Sequence, residues 1–134
     1  MRQITAELYT LVQQFYARQT HALDSGDVKE FADTFTEDAV VRHSSDIPQA
    51  ESRAEIVAVT EAYRDAQESR RHYFNQLLLT PLPDDSVRAT FYAMIVNTRR
   101  GEKVSEIRPS CQVEDILTVN EDVVLLRSRY ISFD

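Results

Sequence analysis

The sequence predicts one α+β domain, residues 1–134, in which three helices cover one face of an antiparallel sheet. Apolar residues recur with the helical period up to about Arg71 and with a period of two from His72 onward. Short turn sequences separate the predicted strands at hairpin spacing, and consecutive strands joined by tight turns pair antiparallel. Helices first and strands afterwards are typical of α+β folds whose helices lie on one side of the sheet.

The helices are defined by their apolar faces and by their capping residues. The first is predicted over residues 3–24 and ends at Gly26, which can adopt the left-handed conformation that closes a helix. Its apolar face contains Ile4, Leu8, Leu11, Phe15 and Ala22. Two capping boxes open the other helices: Asp27 with Glu30, and Ser52 with Glu55. The third helix is predicted to run to about Gln67.

The strands follow from alternation and turn residues. A short strand is predicted at residues 39–43, after a turn at residues 36–38 and before a polar loop that contains Pro48. Four long strands follow the third helix: residues 72–82, 87–97, 104–119 and 123–133. On the first of them, strict alternation places these side chains on one face: His72, Phe74, Gln76 and Leu78.

Composition excludes several partners and sites. The net charge of −7 argues against nucleic acid and against an anionic membrane surface. No apolar run approaches the ~20 residues of a membrane span, and the N-terminus has no apolar leader, so a cytoplasmic protein is expected. Cys111 is the only cysteine, and the histidines lack the spacing of metal ligands. With two glycines and no phosphate-binding loop, the chain is expected to use no metal and no cofactor.

Three groups of residues resemble one known superfamily. They are residues 23–27 (LDSGD) followed by residues 35–40 (FTEDAV), then Arg71-His72 with Asn75, and lastly residues 114–117 (EDIL) with Arg129. Their order and spacing resemble the nuclear transport factor 2-like superfamily, in particular its SnoaL-like branch of bacterial polyketide cyclases and dehydratases. The resemblance covers nearly the whole chain. It implies a cone-shaped homodimeric domain, whose helices and strongly curved antiparallel sheet enclose a pocket for a small hydrophobic ring-containing ligand.

The resemblance also implies a catalytic pair, Asp24 and His72. In the scytalone-dehydratase type of enzyme, an aspartate at the end of the first helix contacts a histidine at the start of the first long strand. Such a carboxylate would fix the imidazole tautomer and support its charged form, so that the ring could abstract or deliver a proton. The alternative is a buried structural pair with no role in catalysis.

Two further residues are candidates for catalysis. His43 falls where the similar ketosteroid isomerases have a catalytic aspartate, although it could equally be an exposed histidine at a strand end. Catalytic tyrosines of the superfamily usually lie five residues before the aspartate, where this chain has Gln19. Tyr16 could replace that tyrosine from one turn earlier, or it could be a core aromatic. Gln19 could hydrogen-bond a substrate carbonyl but cannot supply an acidic phenol.

The remaining candidates are residues expected to bind the substrate. The aromatic pocket walls are predicted to be Phe15, Phe35, Tyr63, Phe74 and Phe91. Gln112 belongs to a polar strand face that would line either the pocket or an exposed sheet surface. Asp115 and Arg129 are expected to form a cross-strand ion pair that contributes little beyond strand register.

These observations favour a cofactor-independent enzyme of aromatic polyketide or antibiotic biosynthesis. It would act as a lyase or isomerase that cyclises, dehydrates or isomerises a small polycyclic substrate. The absence of the expected tyrosine favours the alternative of a non-catalytic, ligand-binding accessory protein that shields a biosynthetic intermediate. A dimerisation module with a filled cone is a third possibility.

Overall fold

The computed structural model describes residues 1–45, 49–65 and 68–133. Its helices are α1 (Ala6–Ser25), α2 (Val28–Ala32) and α3 (Arg53–Arg64). Its strands are β1 (Phe35–His43), β2 (Glu68–Pro81), β3 (Val87–Arg99), β4 (Ser105–Ile107), β5 (Cys111–Asn120) and β6 (Val123–Phe133). Pro48 and Gln67, which the predicted loop and the predicted end of the third helix include, lie outside the described residues.

The strands form one curled, open sheet with the helices packed on its concave face, so the predicted α+β cone is confirmed. The strand order is β1-β6-β5-β3-β2, and β4 pairs with β3 beside this path. The four long strands form the predicted antiparallel meander. The sheet is mixed rather than purely antiparallel, because β1 pairs parallel with β6. The connection through α3 lets the chain leave β1 at one edge and enter β2 at the other.

The strands predicted at residues 72–82 and 87–97 have slightly different observed ends, Glu68–Pro81 and Val87–Arg99, and two other strands differ more. β1 begins at Phe35 and includes the predicted turn at residues 36–38, since a bulge between Phe35 and Val40 takes up the extra residues. The predicted strand at residues 104–119 is divided into β4 and β5 by the segment 108–110. Pro109 at its centre has no backbone N–H to donate to a ladder, which explains the break.

The end of α1 is fixed by local hydrogen bonds. Gly26 has φ +80°, and its N–H bonds to the carbonyl oxygens of Ala22 and Leu23, as in a left-handed helix cap. The side chains of Asp27 and Ser52 accept the backbone N–H groups of the residues three positions later, so both predicted caps are present. The cap at Gly26 closes α1 two residues after Asp24, which therefore lies in the last turn of this helix.

The core lies between α1 and the concave face of the sheet. Its largest completely buried apolar side chains are Val12, Phe35, Val87, Phe91, Leu117 and Leu126. The predicted alternation on β2 holds for His72 and Phe74 but not beyond. Gln76 has φ +60° within a bulge, which turns Leu78 outward and Leu79 inward. Within the described ranges, no helix is long and apolar enough to cross a membrane.

Candidate functional site

An apolar pocket of about 390 Å³ lies between the helices and the concave face of the sheet. The helices contribute Leu23, Phe31, Ile56, Val59, Thr60 and Tyr63 to its lining. The strands and their connections contribute mostly apolar side chains, with His43, His72, Arg70, Arg108 and Arg129 as the polar groups. A concave, mainly apolar site with a few convergent polar groups is the usual form of a small-molecule site.

Asp24 and His72 form a close pair, of which His72 lines this pocket. The Oδ1 atom of Asp24 lies 2.6 Å from Nδ1 of His72, and its Oδ2 atom accepts the backbone N–H of His72 at 3.1 Å. β2 is an edge strand of the sheet, so this backbone N–H has no neighbouring strand to bond with and can donate to a side chain. Because an ionised carboxylate only accepts hydrogen bonds, it assigns the proton to Nδ1 and leaves Nε2 as the basic atom of a neutral imidazole.

His72 also faces a second cavity, of about 500 Å³, which has mainly polar walls. Asp24 and four arginines line this cavity, with Glu68 and Glu102. His72 therefore lines both an apolar and a polar cavity, and Asp24 lines only the polar one. The side chains of His72 and Asp24 retain 13% and 20% of their exposure, so solvent reaches the pair.

His43 lines the apolar pocket from β1, at the opposite edge of the sheet. Its ring stacks on Phe133, with centroids 6.2 Å apart and planes inclined by 12°. Burial, and then the charge of Arg129, lower the pKa of His43, so the ring is neutral at neutral pH. Its Nδ1 atom is buried and makes no hydrogen bond with any described residue. A ligand in the pocket could supply the missing partner.

Tyr16 and Gln19 do not line the pocket, because a buried polar network holds them. The Tyr16 hydroxyl donates to Asp115 Oδ2 at 2.7 Å, and burial followed by the Asp115 charge raises the pKa of this phenol well above its usual value. Gln19 accepts from Arg129 at 3.0 Å and donates to Thr34 at 2.8 Å. These contacts correct the expectation that either side chain contacts a substrate.

The same network corrects the expected role of Asp115 and Arg129. Arg129 donates two 2.8 Å hydrogen bonds to the Asp115 carboxylate, from Nε and Nη2. Asp115 is completely buried and Arg129 is 8% exposed, so this is a core ion pair rather than a surface one. Arg129 also lines the pocket, and its guanidinium carbon lies 5.8 Å from the centroid of the Phe74 ring.

The other predicted binding residues divide into two groups. Phe35, Tyr63 and Phe74 line the pocket. Phe15 and Phe91 do not, because both are packed in the core around Tyr16. Gln112 is exposed on the convex face, beside Tyr92 and between the buried Cys111 and Val113, so it cannot reach the pocket.

Two arginines that line the pocket were not among the predicted site residues, Arg70 and Arg108. Arg70 lies two residues before His72 on β2, so alternation alone would have placed both on the same face. Arg108 reaches the pocket from the break between β4 and β5, which the predicted continuous strand did not include. Among the described residues, no group of three histidine, cysteine or acidic side chains could hold a metal ion.

Comparisons with known proteins agree with this geometry. A family model described as a SnoaL-like domain matches residues 5–130. The chain is 40% identical to ActVI-ORFA from Streptomyces coelicolor, with a TM-score of 0.87 and coverage of 96% of this chain and 98% of that one. It is 31% identical to Aln2 from another Streptomyces strain, with a TM-score of 0.87 and coverage of 99% and 95%. No curated protein matches.

A third similar structure contains a ligand. It is a protein from Catenulispora acidiphila in complex with S-DNPA, and it is 39% identical to this chain. The TM-score is 0.84, and the match covers 97% of this chain and 96% of that one. A small molecule therefore binds to a protein of this fold at substantial sequence identity.

Proposed function

Because this chain belongs to the SnoaL-like family, we propose that it is a cofactor-independent acid–base enzyme of aromatic polyketide metabolism. Its substrate would be a small ring-containing intermediate held in the apolar pocket, and its reaction a cyclisation, dehydration or isomerisation. The observation that carries this proposal is the 2.6 Å contact between the Asp24 carboxylate and Nδ1 of His72, a residue that lines the apolar pocket. A carboxylate-oriented imidazole beside an apolar site is a typical arrangement for moving protons at carbon and oxygen.

His72 would act through its Nε2 atom, and Asp24 would stabilise the imidazolium that forms. Nε2 takes a proton from a carbon beside a carbonyl, and the C–H electron pair moves onto the carbonyl oxygen as an enolate. In a dehydration, that electron pair then forms the new double bond as the hydroxyl leaves, and the imidazolium returns the proton to make water. In an isomerisation the proton returns to a different carbon. The apolar walls on the pocket side of His72 strengthen these charge interactions, because they lower the local polarity.

His43 is the proposed hydrogen-bond donor to the substrate oxygen. Tyr16 donates its hydroxyl to Asp115, and Gln19 hydrogen-bonds with Arg129 and Thr34. Neither side chain is therefore free to bind the substrate oxygen. A neutral imidazole still carries one N–H, and His43 faces the pocket from the edge opposite His72.

A non-catalytic accessory protein is the second candidate. The observation that favours it is the missing phenol: the residue five positions before Asp24 is Gln19, and Tyr16 does not line the pocket. Such a protein would bind the intermediate and shield it from water without changing it. The pocket of about 390 Å³ stands against the third possibility, a dimerisation module with a filled cone.

We further propose a cytoplasmic homodimer formed through the convex face of the sheet. Exposed aromatic and apolar side chains on this face support the proposal: Tyr73, Tyr92, Met94 and Tyr130. Sedimentation equilibrium checks it, since a monomer at all concentrations would contradict it and a Tyr92→Glu variant should weaken the dimer.

The experiment that separates enzyme from accessory protein uses three variants. Turnover of a candidate aromatic polyketide intermediate and affinity for it are measured separately. The variants are His72→Gln, Asp24→Asn and the control His21→Gln, whose side chain is exposed on α1. S-DNPA, the ligand of the Catenulispora structure, is the first compound to test for binding. An enzyme should lose about 10²- to 10⁴-fold in turnover in His72→Gln while affinity changes little. Turnover that is unchanged in both site variants overturns the catalytic proposal, and binding without turnover in the natural protein favours the accessory role.

A further inference from the structure

The apolar pocket has an unbalanced set of charges. Three arginines contribute to its lining, and none of the described lining residues is an aspartate or glutamate. Arg129 is neutralised by its two hydrogen bonds to Asp115. The excess positive charge therefore belongs to Arg70 and Arg108, in a protein whose net charge is −7.

Neighbouring residues hold the Arg70 side chain in place but do not use all of its N–H donors. Its guanidinium carbon lies 3.7 Å from the centroid of the Tyr63 ring. Two of its nitrogens donate long hydrogen bonds of 3.4 Å, to the Tyr63 carbonyl oxygen and to Glu68. A guanidinium carries five N–H donors, so donors remain for a ligand. The cation–π contact holds the plane of the group without using them.

Arg108 lies at the same end of the pocket as His72. Its backbone N–H donates to the carbonyl oxygen of Ile95 at 2.8 Å, and Ile95 is the β3 partner of His72. Its side chain is about half exposed, and its charged contact within the described part of the chain is Glu68, at 3.9 Å.

The carboxylate of Glu68 lies within 4 Å of three arginine side chains. Arg70 lies at 3.4 Å from it, and Arg99 and Arg108 each at 3.9 Å. Glu68 lines the polar cavity and not the apolar pocket, so it does not occupy the space that a ligand would take. With Asp24 included, which bonds to His72, this end of the pocket has two carboxylates and three arginines and therefore an excess of positive charge.

We propose that the pocket selects ring compounds that carry a carboxylate, and that Arg70 and Arg108 receive this group. The inference rests on the proposed ligand-binding function and names the class of its ligand. Planar guanidinium groups match a carboxylate with paired hydrogen bonds, and the adjacent apolar walls reduce competition from water. A carboxylate held there fixes the orientation of the ring, since Arg70 precedes His72 by two residues on the same strand face. The part of the ring next to the acid then faces the imidazole.

Two ligands that differ in charge test whether a carboxylate increases affinity for the pocket. The affinities of 2-naphthaleneacetate and of its uncharged analogue 2-naphthaleneacetamide are measured by calorimetry at low salt. The natural protein should bind the acid about tenfold more tightly than the amide, the expected effect of a charge-assisted hydrogen bond. Arg108→Gln and Arg70→Gln should each remove most of this preference and leave the amide affinity nearly unchanged.

Arg99→Gln is the matched control, because Arg99 contacts the same Glu68 but does not line the apolar pocket. It should keep the preference for the acid. Equal affinity of the two probes for the natural protein overturns the inference, as does an equal loss of preference in Arg99→Gln. Failure of both probes to bind at about millimolar concentration overturns it too. Because these are equilibrium measurements on unreactive compounds, a failed catalytic proposal would leave them unaffected.

Discussion

The carboxylate of Asp24 holds His72 at two points, the ring nitrogen Nδ1 at 2.6 Å and the backbone N–H at 3.1 Å. The second contact anchors the strand to the end of α1, and the first orients the ring relative to that anchor. A single side chain thus controls both the position and the proton distribution of the imidazole. This arrangement is stiffer than a ring contact alone, because the backbone bond limits how far His72 can move away.

The first prediction concerns the tautomer of His72. In protein with ¹⁵N-labelled histidine, at a pH where the ring is neutral, Nδ1 should be protonated and Nε2 should not. Asp24→Ala removes the acceptor and should shift the ring toward the Nε2–H form. The ¹⁵N shifts of the two ring nitrogens measure this, and the exposed His21 should not change. A neutral His72 with an unprotonated Nδ1 in the natural protein would contradict the assignment.

The second prediction compares the two glycines of the chain. Both have positive φ, +80° at Gly26 and +86° at Gly101. A Cβ atom on Gly26 would lie 3.0 Å from Cγ of Arg64, whereas one on Gly101 would have no neighbour within 4 Å. Gly101→Ala should therefore cost only the backbone strain, about 1 kcal/mol, and Gly26→Ala more than that.

Urea unfolding monitored by circular dichroism measures both free energies. Because Gly26 closes the helix that carries Asp24, Gly26→Ala should also perturb the His72 ring resonances, and Gly101→Ala should not. Equal free energies of unfolding for the two variants would mean that Arg64 moves aside without cost.

The fold was largely predictable because its signals are local. Caps, apolar periodicity and turn residues lie within a few positions of one another, and the strand Val123–Phe133 was predicted with its observed bounds. The pairing of β1 with β6 was not predictable in this way, since it joins segments about 90 residues apart without a turn to reveal it. The bulge in β2 was not predicted either. Gln76 has a positive φ although it is not a glycine, so its sequence does not reveal the bulge that turns Leu78 outward and Leu79 inward.

The site was predictable only in part. The contact between Asp24 and His72 was expected from the resemblance, and the two side chains do meet. The hydrogen bond from Tyr16 to Asp115, 99 residues away, could not be predicted from local pattern. Tyr16 was a candidate for catalysis, and Asp115 was expected to pair with Arg129 alone. Distant polar partners are selected by the packed core, where an unpaired hydroxyl or carboxylate is costly.

The third prediction is the pH dependence of His43. Burial, and then the Arg129 charge, lower its pKa in the folded protein. In the unfolded chain the pKa is that of an ordinary histidine, about 6.5. The contribution of His43 to stability is therefore complete above about pH 6.5 and is lost as the pH falls through the lowered folded pKa, because unfolding then binds a proton.

Histidine-selective NMR titration should place the His43 midpoint below the ordinary histidine value of about 6.5. In urea unfolding, His43→Gln should remove part of the loss of stability that the natural protein shows as the pH falls below about 6.5. A His43 midpoint at or above the ordinary value would show that the ring is better solvated or better paired than its position indicates.

The fourth prediction concerns the buried ion pair. Arg129→Met keeps an apolar stem but leaves the completely buried Asp115 carboxylate without its cation, which should cost about 3–5 kcal/mol of unfolding free energy. Arg127→Met is the control, since Arg127 pairs with Asp84 at 3.3 Å on the surface, and it should cost about 0–1 kcal/mol. Because both charges must be desolvated in the natural core, Asp115→Leu combined with Arg129→Met should cost less than the sum of the two single changes. Chemical unfolding of the four variants measures this coupling. If Arg129→Met costs no more than Arg127→Met, then Asp115 has taken up a proton or water without penalty, and the network does not stabilise the core.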